Sequence, residues 1–415
     1  MTFAGEQPVG RFYQNPLPVT GIGDPFILPT PEGYRLFATG GSIGFFVWPS
    51  EDLLRFPDRQ KALPKVGWAV GDYWAPEVYE YGGRYVMLFS ARRLRDKSLR
   101  VGIAFSDTPE GPYVDPLGAP LFDFGYAVID AGLFVDADGT PYLLFVRDCS
   151  ENLVEGRHES HVYGMPLSAD LLTPLSEPVL LTKPDQAWET RSEDWRWNEG
   201  PALLRHDGRY YLFYSGNHFE DKAYGVGVTV ADSPLGPYEK PETNPLLSFV
   251  ETPEKVVVSG PGHNSFFEVG GQIFTAYHTH TYPLAPSGNR QLNLDTAGFH
   301  ADGTAYLNGP TRAPQLRPLA LLGLRNHTSD AKGEGLDLLA DGDLGVSTAS
   351  AAYAWHGTSA TLAWETPCRA DMILLNAPQG SRVTGRATLN GTTDFPLDFG
   401  AVEDLPGAAL VLSFE

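Results

Sequence analysis

The sequence predicts an all-β chain, a five-bladed β-propeller followed by a C-terminal β-sandwich. Three observations carry this: a recurring turn-and-strand unit, a second repeat in step with it, and a composition poor in helix signals. The unit reads Gly33-Tyr-Arg-Leu-Phe-Ala-Thr-Gly40, Gly83-Arg-Tyr-Val-Met-Leu-Phe-Ser90, Gly139-Thr-Pro-Tyr-Leu-Leu-Phe-Val146, Gly208-Arg-Tyr-Tyr-Leu-Phe-Tyr-Ser215 and Gly271-Gln-Ile-Phe-Thr-Ala-Tyr-His278. Each copy opens on a Glu-Gly, Gly-Gly or Asp-Gly turn able to take positive φ, then runs on as the aromatic and aliphatic stretch of a buried strand. The turn glycines stand 50, 56, 69 and 63 residues apart, enough for a small antiparallel sheet per copy. Repeats of that length mean a solenoid or a propeller. Hairpins without intervening amphipathic helices favour the propeller, whose radial packing buries both faces of each sheet.

The outer parts of the blades repeat as well. Phe105-Ser-Asp-Thr-Pro-Glu-Gly-Pro-Tyr113 recurs 125 residues later as Val230-Ala-Asp-Ser-Pro-Leu-Gly-Pro-Tyr238. In both copies Asp-Ser/Thr-Pro and Gly-Pro bracket a tight turn, whose proline fixes φ and whose aspartate can bond its own backbone.

Composition fits a large, mostly β protein, with 45 Gly, 35 Pro and 12% aromatic residues among 415. That length supports a sizeable core and two domains, 1–317 and 318–415. A net charge of −21 would repel nucleic acid and anionic membranes, so neutral partners are expected. The two cysteines, Cys149 and Cys368, fall in separate predicted domains and read as free thiols. The opening Met1-Thr-Phe-Ala-Gly-Glu shows no basic region followed by an apolar core, and no stretch approaches the ~20 apolar residues of a membrane span, which predicts a cytoplasmic protein.

Counting nine residues back from the five turn glycines gives Asp24, Trp74, Asp130, Glu199 and Gly262, the last beside His263. The start of each blade's innermost strand faces the propeller axis, so these positions are expected to ring one funnel. Blades two steps apart would hold their carboxyls roughly 8–9 Å apart, the spacing that leaves room for a water in an inverting glycosidase. This predicts Asp24 as general base and Glu199 as general acid. Asp130, in the blade next to Glu199, would raise the acid's pKa by like charge and keep it protonated near neutral pH.

These motifs resemble the catalytic domain of glycoside hydrolase family 43 over residues 12 to 317. The likeness rests on Gly23-Asp24-Pro25, Trp74-Ala75-Pro76-Glu77, Ile129-Asp130, Asn198-Glu199-Gly200-Pro201, Gly260-Pro261-Gly262-His263 and Arg290-Gln-Leu-Asn-Leu-Asp295. It implies a five-bladed propeller with an aspartate base, a pKa-tuning aspartate and a glutamate acid, matching Asp24, Asp130 and Glu199. It also implies that Arg290 contacts substrate, and that His263 lies on the axis near a water or a Ca2+ or Na+ ion, with no cofactor required. His278 and His280 share a strand face without further ligands at transition-metal spacing. The fructosidase and sialidase motifs of related propellers are absent.

Aromatic rings are the expected sugar platforms. Trp74 shares the catalytic register, and Trp188, Trp195 and Trp197 lie in the segment Lys183–Asn198 that leads to Glu199 as a rim loop. Phe45 is expected to line the same wall. Past Pro318 the unit stops and short alternating runs suggest a separate β-sandwich, either sugar-binding or pocket-supporting; Leu339-Ala-Asp-Gly-Asp343 faintly resembles the opening of galactose-binding jelly rolls. The expected activity is inverting, exo-acting release of arabinofuranosyl or xylosyl units from plant-type oligosaccharides, first as an α-L-arabinofuranosidase. A β-xylosidase, an endo-1,5-α-L-arabinanase and a non-catalytic glycan-binding propeller stay open at this point.

Overall fold

A computed structural model describes residues 10–322, together with the strands Ala331–Lys332, Ala363–Trp364, Met372–Leu375, Arg382–Leu389, Thr393–Ala401 and Leu410–Ser413. Each repeated unit forms the second strand of an antiparallel sheet, with the residues before its turn as the inner strand. The inner strands are Phe26–Thr30, Ala69–Tyr81, Val128–Val135, Trp195–His206 and Gly262–Val269. They neighbour one another in chain order, and the fifth returns to the first, so the ring closes. Among the described residues the only helices are two short 3-10 turns, Cys149–Glu151 and Leu319–Leu322.

Alternation along the second strands explains the closure. Leu36 packs with Phe274 and Leu292 of the fifth sheet, while its neighbour Phe37 packs with Tyr73 and Phe89 of the second. Leu144 and Phe145 split the same way between the fourth and second sheets, and Leu212 and Phe213 between the third and fifth. With a side-chain period of two, a strand apolar at consecutive positions must be covered on both faces. Five apolar clusters result, one between each consecutive pair of sheets. Each fully buried Leu or Phe contributes roughly 1.5–3 kcal/mol.

The chain ends of this unit meet. Phe12–Tyr13 pairs with Gln315–Leu316, and Leu17 and Ile22 donate their N–H groups to Leu292 and Arg290 of the fifth sheet. The two Asp-Ser/Thr-Pro turns adopt one conformation: Tyr113 Oη donates to the Pro109 carbonyl and Tyr238 Oη to the Pro234 carbonyl, each at 3.0 Å. The third and fourth sheets are joined through the parallel pairing of Arg157–Pro166 with Trp195–His206. The later strands pair as antiparallel couples, Met372–Leu375 with Leu410–Ser413 and Arg382–Leu389 with Thr393–Ala401. Of the predicted sandwich only these strands and Ala331–Lys332 with Ala363–Trp364 are described; the galactose-binding likeness at residues 339–343 and Cys368 lie outside the described residues.

Candidate active site

Each inner strand bends, within its length or just before it, at a residue in the left-handed region: Asp24 (φ 52°), Ala75 (45°), Asp130 (53°), Gly200 (56°) and His263 (49°). The bend thus falls at the nine-residue position in sheets one and three and one residue later in the other three. Four of the five are not glycine, and such backbone costs of order 1–3 kcal/mol unless its surroundings impose it.

The imposing contacts form a circuit around the axis. Ala75 N–H donates to Thr39 Oγ1 (3.1 Å), Asp130 N–H to Ser90 Oγ (2.8 Å) and Gly200 N–H to Asp130 Oδ2 (3.0 Å). His263 N–H donates to Ser215 Oγ (2.7 Å), and Asp24 N–H to His278 Nδ1 (3.3 Å). In each case the acceptor belongs to the preceding sheet. Ser90, Ser215 and His278 are the eighth residues of their units, where sheet three has Val146; there the carboxylate of Asp130 takes over the task.

Asp24 lies at the meeting of the fifth and first sheets. Arg290 Nη1 donates to its Oδ1 at 2.8 Å, the Thr39 hydroxyl donates to Oδ2, and His263 Nδ1 is 3.4 Å from Oδ1. Burial alone would raise the Asp24 pKa, but the Arg290 guanidinium, with His263 and Thr39, outweighs it and holds the carboxyl well below the usual carboxylate range. His278 is fully buried, and burial together with Arg290 keeps it neutral. That state suits its acceptance of the Asp24 N–H, which puts its own proton on Nε2. Gly23 leaves the space the guanidinium occupies: a Cβ there would sit 2.1 Å from Arg290 Cζ.

Glu199 has the opposite electrostatics. Its Oε1 accepts from Tyr224 Oη at 2.8 Å, but loss of hydration and then the charge of Asp130 push its pKa well above the usual value. Asp130 itself is raised to about 6 by burial, against the pull of His263. Tyr224 stacks on His278 with ring planes 6° apart, and Gly262 makes room for it, since a Cβ there would meet the ring at 2.3 Å.

The remaining sequence candidates divide. His263 joins the cluster against Asp24 and Gly200. Trp74 stands opposite Ser90 in the second sheet, half-buried against the cluster that contains Leu99 and Ile129. Trp197 is half-buried in a row with Trp195 and His218. Phe45 has to be corrected: it is fully enclosed by Tyr73 and Phe89 in the core between sheets one and two, because its strand turns it away from the axis, and no face is left for a sugar. Trp188 likewise packs inward, over Gly216 and Gly227 against Tyr214.

Sequence reasoning missed two carboxyls. Glu77 lies beneath the Asp130 strand, accepts from the Tyr79 hydroxyl, and is raised to about 8 by lost hydration and by Asp130. Its signal was the last residue of Trp74-Ala75-Pro76-Glu77. Asp148, buried beside Cys149, adds negative potential to both Asp130 and Glu199, and nothing in its local sequence marks it. Among the described residues no three His, Cys, Asp or Glu side chains converge as a metal cage. The positive charge beside Asp24 comes from Arg290.

The profile of glycosyl hydrolases family 43 matches residues 13–305. A crystal structure of a thermostable family-43 glycoside hydrolase is 44% identical, with a TM-score of 0.70, over 74% of this chain and 99% of that one. A β-D-galactofuranosidase of Aspergillus niger is 32% identical over 62% of this chain and 72% of its own length. An extracellular exo-α-(1→5)-L-arabinofuranosidase of Streptomyces avermitilis is 28% identical over 57% of this chain but only 50% of its own length. With the profile spanning most of a closed ring of antiparallel sheets, and with two acids whose surroundings push their pKa values in opposite directions, the chain belongs to glycosyl hydrolases family 43.

Proposed function

We propose that the protein is an inverting, exo-acting glycoside hydrolase that releases α-L-arabinofuranosyl units from neutral oligosaccharides. The observation that carries this is the opposed surroundings of Asp24 and Glu199: Arg290 donates to one carboxyl and holds its pKa down, while burial and then Asp130 push the pKa of the other up. In one displacement, Asp24 takes a proton from water as the water oxygen bonds to the anomeric carbon. The glycosidic C–O bond breaks, and Glu199 gives its proton to the leaving oxygen. Asp24 ends protonated and Glu199 ionised, and exchange with solvent resets both. Asp130 has two tasks here, holding Gly200 in place and keeping the acid's proton on.

Two relatives named as furanosidases support a five-membered sugar ring. Residues 1–317 form the catalytic unit in this reading and 318–415 a second module, in keeping with a family match that ends at residue 305. No step passes through a cation; a Ca2+ or Na+ on the axis would be a structural addition, tested by chelation for Ca2+ and by replacing sodium salts for Na+.

Hydrolysis of 4-nitrophenyl α-L-arabinofuranoside, β-D-xylopyranoside and β-D-galactofuranoside by the purified protein tests the substrate. The arabinofuranoside is expected to give the highest kcat/KM. A preference for the xyloside would move the assignment to β-xylosidase, and turnover of none would remove the activity.

A further inference from the structure

We propose that the strand entering Glu199 carries a platform for the leaving-group side of the substrate, reaching past the sugar that is released. This inference rests on the hydrolase reading above and adds a binding site to it. Trp195, Trp197 and Glu199 are alternate residues of the strand Trp195–His206. Alternate side chains of a strand share a face, about 6.5–7 Å apart. Because Glu199 protonates the leaving oxygen, the departing saccharide must lie on the acid's side, and the same face continues to Trp197 and then Trp195.

The rings form a continuous row. The His158 imidazole lies flat against Trp195, with centroids 3.9 Å apart and planes at 7°. Trp195 and Trp197 are within 16° of parallel at 6.3 Å. From Trp197 the row passes to His218 at 5.0 Å and on to Phe219 at 4.8 Å, over which the Arg290 guanidinium sits at 4.9 Å. It therefore runs from the rim back to the residue that holds Asp24. Trp195, at its outer end, keeps 39% of its surface exposed. An indole left in water beside an active site, and fixed by stacking, offers a flat apolar surface at little entropic cost.

The support beneath the row is rigid. His158 pairs with Trp195 and Ser160 with Trp197 across the parallel strands. The preceding loop is pinned by buried Glu189, which accepts from Lys240 Nζ at 2.8 Å and from the N–H groups of Asp185 and Gln186 at 2.9 Å. Lys240 Nζ also reaches Asn198 Oδ1 at 3.1 Å, tying the loop to the residue before the acid. Exposed Glu193 and Asp194 border the row; they disfavour an anionic chain and can accept from sugar hydroxyls. The occupant is a neutral saccharide of at least two further rings.

The test uses the full chain with Glu199→Gln to stop turnover, titrated calorimetrically with α-(1→5)-arabinotriose and β-(1→4)-xylotriose, with and without Trp195→Ala or Trp195→Phe. At least one trisaccharide should bind, Trp195→Ala should weaken it about five- to tenfold, and Trp195→Phe should restore most of the affinity. Binding of neither sugar, or a change under about twofold in Trp195→Ala, overturns the platform. Trisaccharide binding that depends on Trp195, with no hydrolysis by the unsubstituted chain, would support the platform and refute the enzymatic reading.

Discussion

The carboxylate of Asp130 accepts a 3.0 Å hydrogen bond from the backbone N–H of Gly200, the residue directly after Glu199. One side chain thus anchors the strand that presents the proposed acid and, after burial, contributes the charge that pushes this acid's pKa up. Asp130→Asn separates the two effects, since an amide oxygen still accepts the N–H while the charge is gone. Removing a neighbouring negative charge lowers the Glu199 pKa, so the alkaline limb of the kcat/KM profile should move to lower pH. A limb that stays in place would reject the electrostatic role.

Asp24→Asn and Glu199→Gln should each lower kcat by roughly 10²–10⁴-fold. They differ in their dependence on the leaving group. A 2,4-dinitrophenolate departs without protonation, so it should recover much of the Glu199→Gln loss and little of the Asp24→Asn loss. Equal recovery in both variants would undo the division of roles.

Ser215→Ala leaves the His263 N–H without its acceptor at a buried left-handed position. An orphaned buried donor costs about 1–3 kcal/mol. Denaturant unfolding should register that loss, and kcat should fall more than KM rises because His263 adjoins Asp24. Ser215→Thr keeps a hydroxyl and should restore most of both.

Glu77 makes stability depend on pH. Its folded pKa, about 8, lies above its unfolded value near 4.5. Between those values the unfolded chain gives up the proton while the folded one keeps it, so stability falls as pH rises from about 4.5 to 8 and the penalty is complete above that. Glu77→Gln, always neutral, should match the parent chain at pH 4, exceed its Tm increasingly toward pH 8 and hold a steady margin above that. Each pH unit of separation is worth about 1.4 kcal/mol. A constant Tm difference across that range would contradict the assignment.

Phe45→Ala should cost about 3–5 kcal/mol, the penalty for emptying a packed aromatic site. Because its ring is enclosed by Tyr73 and Phe89, KM for small glycosides should stay as it was. A raised KM at unchanged stability would return Phe45 to the pocket wall.

The ring of sheets and the three acids were legible because both follow from local rules. A turn glycine starts each unit, consecutive apolar residues require cover on both faces, and a fixed offset carries Asp24, Asp130 and Glu199 to one axis. What stayed hidden depends on neighbouring sheets. The hydroxyls of Ser90 and Ser215 look like ordinary strand ends until the next sheet's N–H arrives. Phe45 resembles a platform aromatic because sequence alone does not reveal which way a strand turns its rings. Glu77 and Asp148 act through proximity to Asp130 that no spacing along the chain encodes.

The most direct measurement is proton NMR of the first sugar released from an α-L-arabinofuranoside, recorded before mutarotation. Opposed base and acid with water between them predict that the β-anomer appears first. Initial appearance of the α-anomer would mean a covalent intermediate and would contradict the assignment of Asp24 and Glu199 to a single displacement.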